Sequence, residues 1–456
     1  MPTDEELVKL LEGAAPALAR SRWSGDKGAR ELELRELFRL FDDGGAACFA
    51  AVFSFPPAPT RHFAPFISAP ALSEAETSSR FIEYAVEAIC SGKEVRGRSS
   101  VLRWEGPLIP PGKVQAVEKL GGDTTNAVVK FRLGKARAVF KSYRTVDGFN
   151  PEPELLSFLA TKRCKLTPPV LGSVSLVPNA PSGKAGRPAT LALLMGFSAG
   201  VPAFPAFVGN ARRSISRGIL PHDCIPARLG IAIGDLHHLL STRGAPPDIR
   251  PEAISAEDVD RWRSAMKGRF EEALKTLPAG KAERLSRSGE PFERLLSGMD
   301  EWAGARKLRT HQDLHLGQVL ISRGGFKLLD FEGEPLRKGP ERIEKLPPER
   351  DVATMLRSFS YAAAVALREL KATDAKHFEL AQKWEHDTAS SFVEGYLSAC
   401  PRAVRKRGKK RLLSAVHVWM AEKALYEIAY EAKFRPEWVD IPIEGFLRLL
   451  DPTTIH

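Results

Sequence analysis

A chain of 456 residues exceeds one typical domain, so two or three are expected, with ample material for buried cores. No apolar run approaches the roughly 20 residues needed to span a bilayer, and the N-terminal stretch, acidic before it is apolar, does not read as a signal peptide. The net charge of +11 raises nucleic acid as a partner, but part of the excess lies in one cluster, Arg402, Arg405, Lys406, Arg407, Lys409, Lys410 and Arg411, with no aromatic interleaving. That pattern fits a solvated loop or helix start, so neither nucleic acid nor membrane is expected as a partner. Five scattered cysteines (Cys48, Cys90, Cys164, Cys224, Cys400), odd in number and without a CxxC pair, fit reduced thiols in a cytoplasmic protein and give no zinc site.

Residues 1–105 are expected to form an α+β cap subdomain. Glu5–Arg20 has helical periodicity with Leu7, Leu10, Leu11 and Leu18 broadly on one side, Ala46–Phe55 and His62–Ile67 lean to strand, and Arg80–Cys90 reads as an amphipathic helix. No catalytic constellation is visible in this part.

Residues 106–200 carry the grammar of a β-rich nucleotide-binding lobe. Strand-like Val114–Leu120 and Ala127–Leu133 bracket Gly121, Gly122, Asp123, Thr124, Thr125 and Asn126, a turn whose backbone amides can face an anion, or an ordinary hairpin. Ala136–Phe140 then delivers Lys141, and Glu154 sits in the first turn of a helix behind Pro153. A strand lysine paired with a glutamate on the next helix holds nucleotide phosphates in kinase-like lobes, so Lys141 and Glu154 are the expected pair. Thr190–Met195 and the following Gly196-Phe197 form a strand and linker that would offer backbone groups to adenine, which places Met195 and Phe197 in the cofactor site.

From 201 the pattern is mainly helical. Ala227–Leu240 carries His237 and His238, which have no further partner at metal-ligand spacing. Helices at Ala256–Leu277 and Gly289–Trp302 lead to the stretch Arg309–Pro335, RTHQDLHLGQVLISRGGFKLLDFEGEP. Here His311-x-Asp313 is followed five residues later by the amide of Gln318, and an apolar run ends in Asp330. That is the layout of a phosphoryl-transfer site, with one Asp taking the proton of the attacking hydroxyl and an amide oxygen plus a second Asp holding Mg²⁺. Long helices follow from Asp351, Ala375 and Arg411.

With these residues in hand, the chain resembles the aminoglycoside-phosphotransferase-like kinases and, within them, the bacterial maltokinases. The resemblance rests on Arg22-Trp23, Gly25 and Lys27-Gly28; Leu120-Gly121-Gly122 with Asn126; and Asn150-Pro151. It continues through His311-x-Asp313-Leu314-His315-x-Gly317-Gln318, Asp330-Phe331-Glu332-Gly333-Glu334-Pro335, Arg350-Asp351-Val352-Ala353, Lys423-Ala424-Leu425-Tyr426-Glu427, Tyr430-Glu431 and Arg435-Pro436. It implies an α+β, bilobal protein-kinase-like fold with an N-terminal cap and a helical C-lobe over 201–456. It also implies ATP- and Mg²⁺-dependent phosphorylation of maltose to maltose 1-phosphate, within trehalose-to-glucan metabolism; trehalose synthase is the candidate protein partner, above all for a catalytically silent scaffold. Gln312 stands where relatives usually have Gly, and Ser360 where they often have Asp, near the expected sugar site.

Chemistry assigns Asp313 as base, Gln318 and Asp330 as metal ligands, and His311 as a brace of the loop. Glu332 suits a water-mediated metal contact or a structural role, and Asp351 either holds the loop backbone or is a helix-terminal charge. Tyr426, Tyr430 and Glu431, on one side of a helix, suit sugar faces and equally suit a core; His315 joins them as an acceptor-site candidate. Kinases for glucosamine or an aminoglycoside are the alternative, with Glu422, Glu427 and Glu431 as the makings of an acidic pocket for a cationic acceptor. A catalytically silent scaffold would be expected to have lost the base or a metal ligand, and a protein kinase would show an APE-type ending after Asp330.

Overall fold

The computed structural model describes residues 1–451 apart from 22, 25–26, 108–111, 122–125, 147–149, 180–187, 219–223, 243, 336 and 338. The chain divides into two compact units: residues 1–160 with 168–198 and 338–341, and residues 161–167 with 199–337 and 342–456.

The first unit is built on two antiparallel sheets. Strands β1 (Glu33–Asp43), β2 (Ala46–Ser54), β3 (Arg61–Ile67) and β4 (Ser73–Glu74) pair in sequence order. β2 is a continuous apolar run because both of its faces are covered. Ala47, Phe49, Ala51 and Phe53 meet Leu7 and Leu11 on one side, while Cys48, Ala50 and Val52 join Phe81, Ile89, Trp104 and Phe140 on the other. The N-terminal helix Asp4–Gly13 is started by a Thr3–Glu6 capping box, and a second short helix, Ala15–Ala19, restarts with Pro16 in its first turn. Leu10, expected to face inward with Leu7 and Leu11, is instead 40% exposed.

The second sheet has seven strands: β5 (Glu94–Arg96), β6 (Ser100–Glu105), β7 (Val114–Lys119), β8 (Asn126–Leu133), β9 (Ala136–Tyr143), β10 (Val170–Pro178) and β11 (Ala189–Gly196). Their order is β5-β6-β10-β11-β9-β8-β7. The boundary expected near residue 105 therefore falls inside one unit. β6 pairs with β10, with Leu102 opposite Leu176, and residues of both stretches share one core cluster. Buried Arg144, just past β9, adds a second tie by pairing with Glu74 and Glu76.

The second unit is mainly helical. Helix Ile225–Leu240 lies so close to Ala375–Ala399 that a Cβ on Gly230 would overlap the Phe392 carbonyl, and one on Gly395 the Ala227 carbonyl. Val319–Ser322 and Gly325–Leu328 form a hairpin that Val201–Pro202 extends to three strands. The basic cluster forms the first turns of Arg402–Phe434, which is interrupted at Gly408 where φ is +82°. Among the described residues no helix is long and apolar enough to cross a membrane.

Candidate functional site

In the first unit, β9 carries Lys141 into a buried position where its Nζ lies 2.6 Å from Oε2 of Glu152. Tyr143 donates its hydroxyl to the same oxygen at 2.7 Å. The lysine's partner is therefore Glu152 and not the expected Glu154. The reason is helix phase: Asn150 Oδ1 accepts from the Glu152 amide at 2.9 Å, so the helix begins at Glu152. Glu154, two residues on, lines a cavity of about 480 Å³ with Asn150, Ser157 and Thr190. Gly121 adopts φ +77°, as the turn after β7 requires, and Asn126 Oδ1 accepts from the Arg144 amide at 3.3 Å. Gly122, Thr124 and Thr125 lie outside the described residues, as do Arg22 and Gly25. Met195, the last residue but one of β11, lies opposite Val139, and Phe197 donates its amide to the Arg137 carbonyl at 3.0 Å, with the Arg137 guanidinium 4.5 Å from its ring.

In the second unit, the loop 309–318 is held by the first turns of helix Glu349–Glu369. Fully buried Asp351 accepts from the amides of His311 (2.8 Å) and Gln312 (3.0 Å) and lies 3.1 Å from His237 Nε2. Burial alone would raise the pKa of this carboxyl, but the His237 hydrogen bond and the amides hold it below the ordinary value. Further along one helix face, Thr354 donates to the Leu314 carbonyl at 2.6 Å and Ser358 accepts from the Leu316 amide at 3.3 Å. Arg350 donates to the Gln312 carbonyl at 2.7 Å. Gln312 itself has φ +68°, the left-handed region that favours glycine, and its side chain donates to the Glu344 carbonyl at 2.7 Å. His311 points Nε2 at the Leu329 carbonyl (2.9 Å) and packs on Phe331, which makes it a brace between the loop and the segment after the hairpin.

Asp313, at the loop's tip, meets Lys423 Nζ at 3.2 Å through Oδ1, and its Oδ2 lies 3.8 Å from His315 Nε2. The hairpin brings Gln318 and Asp330 together, with Gln318 Nε2 3.2 Å from Asp330 Oδ2, and Asp330 has φ +63°. Both are side chains with hard oxygen atoms at one place, which suits a divalent cation of the Mg²⁺ type once the amide is turned to present its oxygen. Glu332 is half-buried two residues beyond.

The acceptor candidates separate. Tyr426 stacks with Tyr430 at 6.3 Å, and Lys423, which bonds Asp313, lies 4.6 Å from the Tyr426 ring, so this part of the helix adjoins Asp313. Buried Glu431 instead accepts from Tyr361 at 2.8 Å and from Arg435 at 2.7 Å. Ser360, expected near these residues, bonds Glu385 on a different helix.

A buried charge network around Glu334 is the main feature that sequence reasoning missed. Glu334 accepts from Arg337, from Arg350 at 2.6 Å and from Lys423 at 2.7 Å, and Arg337 also reaches Glu422 at 2.6 Å. Burial would raise the Glu334 pKa, yet Arg350, Lys423 and Arg337 hold it well below the ordinary value; for Lys423, Glu334 and Asp313 outweigh burial and raise it. The available signal was the pair of charges in Glu334 and Lys423 inside otherwise apolar or loop-forming segments, positions that become buried only when matched.

No family model matches the chain. It is similar to the glucosamine kinase of Streptacidiphilus jiangxiensis, 26% identical over 234 residues (50% of this chain and 51% of that protein). It is likewise similar to that of Mycolicibacterium smegmatis (strain ATCC 700084 / mc(2)155), 26% identical over 226 residues (50% and 53%). This chain spans about half the length of the curated relatives it matches. Among solved structures, crystal form B of a glucosamine kinase aligns with a TM-score of 0.72 at 21% identity, covering 98% of this chain and 100% of that one. A glucosamine kinase in complex with glucosamine, ADP and inorganic phosphate aligns at 0.67, again with 21% identity, covering 98% and 99%. The fold is thus the mixed helix-and-sheet, kinase-like one expected from the sequence.

Proposed function

We propose that the chain is an ATP- and Mg²⁺-dependent kinase that phosphorylates a sugar hydroxyl, with glucosamine or a close amino sugar as acceptor. The observation that carries the reaction class is Asp313, held at the tip of a loop whose backbone is fixed by Asp351. The chain's similarity to two glucosamine kinases supports the amino sugar over maltose.

On this reading the acceptor oxygen attacks the γ-phosphorus of ATP, the bond to ADP breaks, and the hydroxyl proton passes to Asp313. Lys423 occupies Oδ1, so Oδ2 is the oxygen left for that proton. Gln318 and Asp330 would hold the Mg²⁺, which supplies charge neutralisation on the phosphates. Lys141, fixed by Glu152, is assigned to the nucleotide phosphates. Tyr426 and Tyr430 are assigned to the acceptor, with His315 beside the base; the turn at Gly121 and the linker at Met195–Phe197 are assigned to the nucleotide.

One observation favours a neutral sugar such as maltose as a second reading, to which an association with trehalose synthase would attach. The carboxylates that were to form an acidic pocket are matched internally: Glu422 by Arg337 at 2.6 Å, Glu427 by Arg357 at 2.7 Å and Glu431 by Arg435 at 2.7 Å. A coupled ADP-release screen over glucosamine, maltose, glucose, trehalose and kanamycin separates the readings. A response to maltose without one to glucosamine overturns the first acceptor. Turnover by Asp313→Asn at the wild-type rate overturns the base; a loss of about 10²–10⁴-fold with nucleotide binding retained is expected.

A further inference from the structure

We propose that the groove between helices Glu349–Glu369, Ala375–Ala399 and Asp440–Leu450 binds an amphipathic anion, a molecule with a hydrocarbon or aromatic body and one anionic head. The groove belongs to the second unit and is separate from the loop that carries Asp313. Its volume is about 700 Å³, within the range of sites that take small organic ligands. Its floor is apolar, with Ala363, Ala364, Leu367 and Ile441, and Phe378 stands in its wall 46% exposed, a large ring left in water.

Charge decides the head group. Arg357, Arg368, Lys371 and Arg448 border the groove, as do Glu385, Asp440 and Glu444. Every carboxylate is already matched: Asp440 by Lys281 at 2.6 Å, Glu444 by Arg284 with one bond at 2.9 Å, and Glu385 by Arg448 at 3.3 Å. Arg357 is matched by Glu427. Arg368, 4.2 Å from the Trp438 ring, and Lys371 are left without a carboxylate partner among the described residues. Cations at a helix C-terminus also favour the helix dipole, but that effect is spread over the last turn and supplies no counter-ion. Arg368 does donate to the Glu437 carbonyl at 3.3 Å, but a carbonyl carries no counter-charge, so an apolar floor bordered by two cations without carboxylate partners selects a ligand of the opposite sign and like polarity.

The test is calorimetric titration of the full-length protein with dodecanoate below its micelle concentration, and with dodecyltrimethylammonium at the same concentrations. Dodecanoate is expected to bind saturably at one site, about ten-fold or more tightly than the cationic amphiphile. Lys371→Glu, a change at an exposed position, should weaken dodecanoate about ten-fold, and Ala364→Trp should abolish its binding by filling the floor. Equal affinity for the two amphiphiles, absence of a saturable isotherm, or unchanged binding in Lys371→Glu overturns the proposal.

Discussion

Exchanging the two glutamates at the start of helix Glu152–Thr161 distinguishes the lysine partner expected from the sequence from the one in the fold. Lys141 and Glu152 form an ion pair of 2.6 Å with side chains only 8% and 3% exposed, and Tyr143 adds a hydrogen bond to the same carboxylate oxygen. Removing one member of a buried pair costs about 3–5 kcal/mol, because the remaining charge stays buried without compensation. Glu152→Gln keeps the shape and an acceptor oxygen, so the lower end, about 3 kcal/mol, is expected. Glu154→Gln changes a side chain that lines an open cavity, and should cost under about 1 kcal/mol. A chain of two units need not unfold in one step, so the assay is hydrogen exchange over β9 and the helix, alongside turnover at saturating acceptor. Glu152→Gln should speed exchange there and lower turnover. Equal costs for the two variants, or a larger one for Glu154→Gln, would refute the assignment of Glu152 as the partner.

Lys423→Met removes a charged hydrogen bond to Asp313 worth about 1.5–3 kcal/mol, so turnover should fall about 10–100-fold. Lys423→Arg should recover part of it; equal loss in both variants would indicate a packing role only. Gln312→Gly should be nearly neutral in urea unfolding, since relief of the φ +68° strain offsets the lost bond to Glu344, whereas Gln312→Val should cost about 2–3 kcal/mol. Asp351 has a depressed pKa, so its contribution to stability is present above the unfolded-state value near about pH 4 and is lost as pH falls through the lower folded value. Asp351→Asn should therefore be less stable at neutral pH and show a shallower fall in stability below about pH 4; an acid-unfolding profile with unchanged slope would count against the depressed carboxyl.

The elements that could be read from the chain were those whose local pattern and tertiary setting agree. β2 has eight apolar residues in a row, Ala46 to Phe53, because two layers cover it, and the stretch 309–335 carries its spacing within a single loop and hairpin. β1 could not be read this way. Its sequence, ELRELFRLFDD, is made of good helix formers, yet it is a strand because it pairs along β2 and because Glu36, at its centre, accepts from the amides of Arg98 and Ser99. Glu152, not Glu154, faces Lys141 because helix phase depends on the Asn150 cap, which sets the inward position two residues earlier than the sequence suggests. His237 shows no partner at metal-ligand spacing in the sequence, because its bond to Asp351 comes from a helix 114 positions away.

The acceptor was the least legible part for a reason that also bears on its chemistry. Glu422, Glu427 and Glu431 occur within ten residues of one another, and by sequence they offer three negative charges to a cationic sugar. In the fold each is answered by a cation: Glu422 by Arg337 and Arg269 and Glu427 by Arg357, all from other elements, and Glu431 by Arg435 one turn further on, at the end of its own helix. A carboxylate already paired inside the protein contributes little further attraction to an ammonium group, and Lys423 beside Asp313 works against one directly. If glucosamine is the acceptor, its ammonium must therefore point away from Lys423. N-acetylation, which removes the charge and adds bulk, tests this against glucose as the neutral reference. A glucosamine kinase of this geometry should show a KM for glucosamine that rises with salt no more steeply than that for glucose, because no unpaired carboxylate steers it. A strongly salt-dependent KM for glucosamine alone would mean that one of the three carboxylates leaves its internal partner when the sugar binds.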